Sequence, residues 1–343
     1  MNQLIRISVI IPTRNRCEYL KDVLESIEKQ TLDMNAFEVI VVDNGSTDDT
    51  PNVVKEFKNK IGNLIYVYEE KPGLHEGRHA GYRIANSDIL VYADDDIIAF
   101  PTWLEGVLES FADTAVVLVG GKDLPKYEAT PPFWILEKWY ELCPFGHCMP
   151  QLSLIDFGDE VQDIPAGYVY GCNFAIRKWV VEKAGGFLPD GMPWEKVEYR
   201  GTGETYISSF IQRNGLRTLY NPKASVWHRV PKSRLTIDYF KKWYFSIGIG
   251  MSYTDLRNQP IEILSTSNIP IKKRIRYMLR RMLGENLTKI LLGLKKQKKV
   301  DWSQYPDLER QFEQSRFIGY SYHQKMYREN INLREWVHKK SYL

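Results

Sequence analysis

Over its first 121 residues the chain alternates two hydrophobic periods, and few architectures accept that pattern. Residues 5–11 are a short apolar run, rich in β-branched side chains, that stops at Pro12. Residues 18–30 then carry Tyr19, Leu20, Val23, Leu24 and Ile27 at helical spacing. A second Val- and Ile-rich run, 37–42, ends at Asp43. Thr50 and Pro51 open the next helix, whose stripe is Val53, Val54, Phe57 and Ile61. Strands over 64–68, 89–92 and 115–119 and helices over 76–85 and 101–111 continue the alternation. Strand–helix units of this kind build a Rossmann-like, mainly parallel α/β sheet covered by helices on both faces.

Ligands of such sheets bind beyond the carboxyl ends of the strands. The residues there are Pro12, Thr13, Arg14 and Asn15, then Asp43, Asn44, Gly45 and Ser46, then Asp94, Asp95 and Asp96. No G-x-x-x-x-G-K-[ST] loop is present, and no G-x-G-x-x-G follows the first strand, so the usual phosphate-cradling loops are missing. Three consecutive carboxylates repel one another unless a cation sits among them. A hard divalent ion, Mn²⁺ or Mg²⁺, is the natural partner and would itself bind a diphosphate. The plainer explanation is an acidic loop or helix cap.

Further along, residues 125–150 are Pro-rich and read as a long connection. Residues 166–177 and 218–228 read as strands and 204–214 as a helix. Beyond 232 the pattern is helical and basic. The formal charge of +3 conceals a division: residues 1–228 balance at −11 and residues 229–343 at +14. Within 271–299, ten apolar side chains from Ile271 to Leu294 share one helical face, among 11 Lys and Arg and a single acid, Glu285. That is the pattern of a helix lying on an anionic membrane surface. A helix docked on the acidic domain, or on a second copy of the chain, would read the same way. No nucleic-acid recognition module is visible. The chain opens without a secretory h-region, has no span of about 18 apolar residues and holds four cysteines, so the expected place is the cytoplasm, including the inner face of the plasma membrane. Cys143, His147 and Cys148 raise zinc, but no second ligand pair follows. Trp134, Trp139, Tyr140 and Trp194 are candidates to stack on a sugar, or simply core.

Several of these segments, taken in order, resemble the inverting family 2 glycosyltransferases of the GT-A fold. They are Ile7 to Asn15, Val41 to Asp48, the Asp94, Asp95, Asp96 triplet, Gly73 to Gly81, and Gly171, Cys172, Asn173 to Arg177. His79 stands where the family usually has Asn. The resemblance covers residues 5–230 and implies a catalytic domain over 1–230 with a basic helical extension over 231–343. It implies that Thr13, Arg14, Asp43, Arg78, Asp94 and Asp95 face a nucleotide-diphosphate sugar, with a UDP-sugar the first choice. Asp94 and Asp96 match the outer members of the Asp-x-Asp motif, and Asp96 and His228 would hold the Mn²⁺ or Mg²⁺. Counting back from Gly215, Glu204 falls at the position of the general base, with Gly203 in place of the family's preceding acid; Glu195 and Glu198 are its local competitors. The acceptor would be a glycan or lipid-linked hydroxyl, in cell-surface glycan or glycolipid synthesis. Two other readings stay open at this level: a metal-dependent nucleotidyltransferase, and a non-catalytic sugar-nucleotide-binding scaffold.

Overall fold

The computed structural model describes residues 5–258 and 307–343. The expected alternation is present. Strands β1 (Ile7–Thr13), β2 (Phe37–Asp43), β3 (Leu64–Tyr68) and β4 (Ile89–Ala93) are interleaved with helices α1 (Cys17–Glu28), α2 (Thr50–Phe57) and α3 (Leu74–Ile84). Next come β5 (Ile97–Ala99), α4 (Trp103–Ser110), β6 (Val116–Gly120), β7 (Asp123–Tyr127), α5 (Phe133–Tyr140), β8 (Leu142–Cys143), β9 (Gly146–Met149), β10 (Leu154–Asp156) and β11 (Gln162–Asp163). The order continues with β12 (Asn173–Arg177), α6 (Lys178–Ala184), α7 (Glu204–Arg213), β13 (Arg217–Tyr220) and β14 (Val226–Val230). The helices α8 (Ile237–Arg257), α9 (Leu308–Glu329) and α10 (Ile331–Val337) complete the described residues.

The larger sheet runs β11-β13-β6-β12-β4-β1-β2-β3. β1 pairs parallel with β2 and β4, while β12 enters antiparallel between β4 and β6. Every residue of β1 and β2 is buried, as expected of strands covered on both faces. One apolar cluster joins the sheet to α1, α2 and α4 through Leu20, Val23, Val53 and Trp103. The opposite cluster joins it to α3, α6 and α7 through Ala80, Val180, Ile207 and Ile211. Thr13 is in register with Asp43, and Ala93 with Asn173, so the polar segments that follow β1, β2 and β4 share one rim with the segment that precedes β12.

Three sequence expectations need correction. The stretch 125–150 is not a plain connection. Pro132 caps α5, whose Trp134, Ile135 and Trp139 are buried, and β8 and β9 form a hairpin in a second sheet ordered β5-β14-β7-β10-β9-β8. Those two tryptophans are therefore core, whereas Tyr140 and Trp194 are exposed. Residues 218–228 form two strands in different sheets, because Asn221 and Pro222 turn the chain between β13 and β14. Of 166–177 only β12 is strand, and residues 166–168 are one turn of 3₁₀ helix.

Two glycines let α8 and α9 cross closely. A Cβ at Gly248 would lie 2.0 Å from the Arg316 carbonyl oxygen, and one at Gly319 2.0 Å from that of Phe245. Thr236 caps α8 by accepting from the Tyr239 N–H at 3.2 Å. None of the described helices is long and apolar enough to cross a membrane. The basic segment 271–299 lies outside the described residues.

Candidate active site

At the sheet rim two cavities meet. The smaller, about 260 Å³, is lined by Thr13, Arg14 and Arg16 at the end of β1, by Asp95 and Asp96 after β4, and by Arg234 after β14. The larger, about 910 Å³, lies between α7, α8 and the segment 167–172. Asp94 and Leu74 line both.

The small sheet explains how a histidine reaches this place. β14 pairs antiparallel with β5, and His228 sits opposite Ile97, directly after Asp96. The His228 Nδ1 lies 2.8 Å from the Leu152 carbonyl oxygen, which fixes the ring and turns Nε2 toward Asp96 Oδ1 at 3.3 Å. That carboxylate oxygen is buried and without a hydrogen-bond partner of ordinary geometry. Asp96 Oδ2 is held by Arg16 at 2.9 Å and Arg234 at 3.1 Å. Burial alone would raise the Asp96 pKa, but His228, Arg234 and Arg16 outweigh it and hold the carboxyl well below the usual range. Burial would likewise depress His228, and Asp96 more than reverses this.

Asp95 is a strut. It accepts from the Thr13 hydroxyl at 2.7 Å and from Arg16 at 2.6 Å, tying the end of β4 to that of β1. Burial pushes its pKa up to about 7 against the pull of Arg16. On the other side of Asp94, the buried Arg78 guanidinium meets Glu204 at 3.1 Å and Asp94 at 3.5 Å. Glu204 is the first residue of α7 and lines the large cavity.

The family model described as glycosyl transferase family 2 matches residues 8–184. The chain belongs to that family. A glycosyltransferase of Haloferax volcanii, AglE, is 35% identical over 116 residues, 34% of this chain and 38% of that protein. The validoxylamine A glucosyltransferase of Streptomyces hygroscopicus is 27% identical over 204 residues, 55% of this chain and 48% of that protein. The glucosyl-dolichyl phosphate glucuronosyltransferase of Haloferax volcanii is 24% identical over 256 residues, 74% of this chain and 78% of that protein. The matched part thus spans less than half of the first two relatives. A mannosyltransferase of Pyrobaculum calidifontis, solved with GDP-Man and Mn²⁺, shares the fold at a TM-score of 0.54 and 18% identity, covering 92% of this chain and 86% of that one. The fold is GT-A, as expected of that family.

The expected residues of this family 2 enzyme fall into three groups. Thr13, Arg14, Asp94, Asp95 and Asp96 line the small cavity, with His228 behind Asp96. Arg78 and Glu204 face the large one, so Arg78 stands beside the acid at the head of α7 rather than in the small cavity. Asp43 lines neither. It is buried, accepts from the Ser46 N–H and from the Tyr66 hydroxyl at 2.7 Å, and closes the turn through Gly45 at φ +79°. Glu195 and Glu198 also lie outside both cavities. His79 is buried and accepts the Phe187 N–H through Nε2 at 2.9 Å, a packing role. Cys143 and Cys148 belong to the β8–β9 hairpin, and among the described residues no three His, Cys, Asp or Glu side chains converge as a metal cage. Sequence reasoning missed Arg16 and Arg234. The signal for Arg16 was its place one residue past a polar strand end; Arg234, six residues after His228, offered none.

Proposed function

We propose that the protein is an inverting, metal-dependent transferase that moves a sugar from a nucleotide-diphosphate sugar, a UDP-sugar first, to an acceptor hydroxyl. The observation that carries this is the single carboxylate, Asp94, shared by two cavities, with Asp96 and His228 on one side and Glu204 on the other. Asp96 Oδ1 and His228 Nε2 fit one divalent ion. One is a buried carboxylate oxygen without a hydrogen bond of ordinary geometry, and the other is an imidazole nitrogen 3.3 Å from it that also meets Arg234 Nη1 at 3.3 Å. Two protein donors suffice for an ion that completes its shell with water and diphosphate oxygens. The imidazole favours Mn²⁺ over Mg²⁺. Such an ion, when bound, neutralises charge developing on the leaving diphosphate. Arg16 and Arg234 add fixed positive charge beside the same carboxylates.

In the transfer, Glu204 accepts the proton of the acceptor hydroxyl as its oxygen attacks the anomeric carbon. The bond from that carbon to the diphosphate breaks on the opposite face, and the bonding pair leaves with the nucleoside diphosphate. The large cavity holds the acceptor. Along α8 its wall is Trp243, Ser246, Ile247, Gly250, Met251 and Thr254, one helical face with both apolar and hydroxyl groups. A glycan or lipid-linked acceptor suits such a wall, and the glucuronosyltransferase relative is named for a dolichyl-phosphate-linked substrate. Residues 1–230 would be the catalytic domain. In the extension over 231–343, the basic segment 271–299 would bring the enzyme to an anionic membrane face or to a second copy of the chain. The work would then be cell-surface glycan or glycolipid synthesis. Calorimetric titration of UDP-, GDP- and dTDP-sugars with and without Mn²⁺, on the wild type and on Asp96→Ala, tests the donor side. Mn²⁺-dependent affinity should vanish in the variant. Its survival would refute the metal assignment.

A further inference from the structure

One buried ionic contact is unexplained by nucleotide binding. Arg78 is 2% exposed, and its Nε has no hydrogen-bond partner. The guanidinium is held by its two outer nitrogens, Nη1 on Glu204 at 3.1 Å and Nη2 on the Gly171 carbonyl oxygen at 3.2 Å. The Phe187 ring lies 5.1 Å away and is fully buried. Arg78 is therefore encased except toward Glu204 and Asp94, whose side chains are 23% and 31% exposed to the cavities.

We infer that Gly171 is a positioning residue, and that the missing side chain there lets Arg78 hold Glu204 where the acceptor hydroxyl must present its proton. This rests on the reading of Glu204 as the base. A Cβ at 171 would lie 2.3 Å from Arg78 Nη2 and 3.0 and 3.1 Å from the Glu204 carboxylate Cδ and Oε1. Both members of the pair are thus shaped around one absent methyl. The φ of Gly171 is not in the left-handed region, so the demand for glycine is one of space and not of backbone conformation. Phe187 and the Gly171 carbonyl leave the guanidinium little room to retreat. An added methyl therefore displaces it from Glu204, and the carboxylate, tethered only at the head of α7, swings into the cavity. No charge is gained or lost. A base must lie within about 2.6–3.2 Å of the proton it takes, and a misplacement of about 1 Å can cost on the order of 10²-fold in rate.

The test compares Gly171→Ala, Arg78→Lys, Glu204→Gln and the double variant Gly171→Ala/Glu204→Gln. The readouts are kcat and KM for the acceptor, and the donor Kd measured calorimetrically with the UDP-sugar that binds the wild type. Gly171→Ala should lower kcat by roughly 10–100-fold while the donor Kd stays within about threefold. In the Glu204→Gln background the same change should cost less than about twofold, because there is no base left to misplace. A kcat within about threefold of wild type, a parallel loss of donor affinity, or a full additional loss in the double variant would each overturn the inference. Should Gly171→Ala fail to fold, Arg78→Lys reads the same contact from its other side, and an unchanged kcat there overturns it equally. A Glu204→Gln enzyme that turns over like the wild type would remove the base itself, and that failure is separate from a wild-type-like Gly171→Ala beside an inactive Glu204→Gln.

Discussion

The crossing of α8 and α9 tests whether the helical extension is part of the catalytic machine or merely attached to it. In an exposed helix, Gly→Ala stabilises by about 1 kcal/mol through backbone entropy. At Gly248 and Gly319 the sign should reverse. The new Cβ would meet backbone carbonyl oxygens at 2.0 Å, and backbone cannot rotate aside as a side chain can. Ordinary contact begins near 3.4 Å, so either methyl would open the crossing by roughly 1.4 Å, when a gap of about 0.5–1 Å already forfeits a quarter to a half of each contact's dispersion energy. Overpacking of this kind costs about 1–3 kcal/mol, and the backbone clash places it at the upper end. Net of propensity, each single variant should lose about 2 kcal/mol, or roughly 4–8 °C in Tm. The two sites share one crossing, since Phe245, Gly248, Arg316 and Gly319 all lie in it. The first methyl makes most of the room that the second needs. The double variant should therefore fall short of the sum by about 1 kcal/mol or more. Urea midpoints of the four proteins measure this. Because the cavity face of α8 moves with the crossing, the acceptor KM should rise while the donor Kd holds. A single variant more stable than wild type, or a double variant additive to within about 0.5 kcal/mol, would refute the reasoning.

Glu204→Gln keeps size and hydrogen bonding but cannot accept a proton, so turnover should fall on the order of 10²–10⁴-fold with donor affinity near wild type; steady-state kinetics beside calorimetry decide it. His79 is buried neutral, with its pKa depressed to about 3, first by burial and then by the charges of its neighbours. Its contribution to stability is thus present above the unfolded pKa of about 6.5 and is lost as pH falls below it. Relative to His79→Asn, which does not titrate, the wild type should lose about 1 kcal/mol between pH 6.5 and 5.5, and a stability difference that does not change with pH, read from urea midpoints, would contradict this. Finally, the full chain should co-sediment with anionic but not neutral liposomes at low salt and release as salt rises, since each basic residue of 271–299 near the surface contributes about 1 kcal/mol before screening. A chain that stays in the supernatant with anionic lipid would leave the segment to the protein itself or to a second copy.

The parts of this enzyme that could be read from sequence are those in which a local pattern and the tertiary structure demand the same residue. β1, β2 and β4 are buried on both faces, so their β-branched runs announce themselves, and the rule that ligands gather at strand ends then selects Thr13, Asp94, Asp95 and Asp96 without coordinates. Residues whose role depends on pairing between distant segments resisted. Ile97 to Ala99 is too short to show a period, yet its pairing with β14 is what carries His228 to Asp96. Arg234 reaches the same carboxylate from a turn of 3₁₀ helix, with nothing local to mark it. Arg78 shows the subtler failure. Its position in the motif was visible, but a buried guanidinium goes to whichever carboxylate the fold brings within reach, and here α7 brings Glu204 closer than the strand end brings Asp94. The departure at Gly203 has a separate cause in the backbone. Its φ of +51° belongs to a residue without a side chain, and a Cβ there would lie 2.6 Å from Asp190 Oδ2. The acid that the family usually carries before the base has no room in this backbone, and Asp190, paired with Arg200 at 2.8 Å, already supplies a carboxylate at that place in the cavity wall.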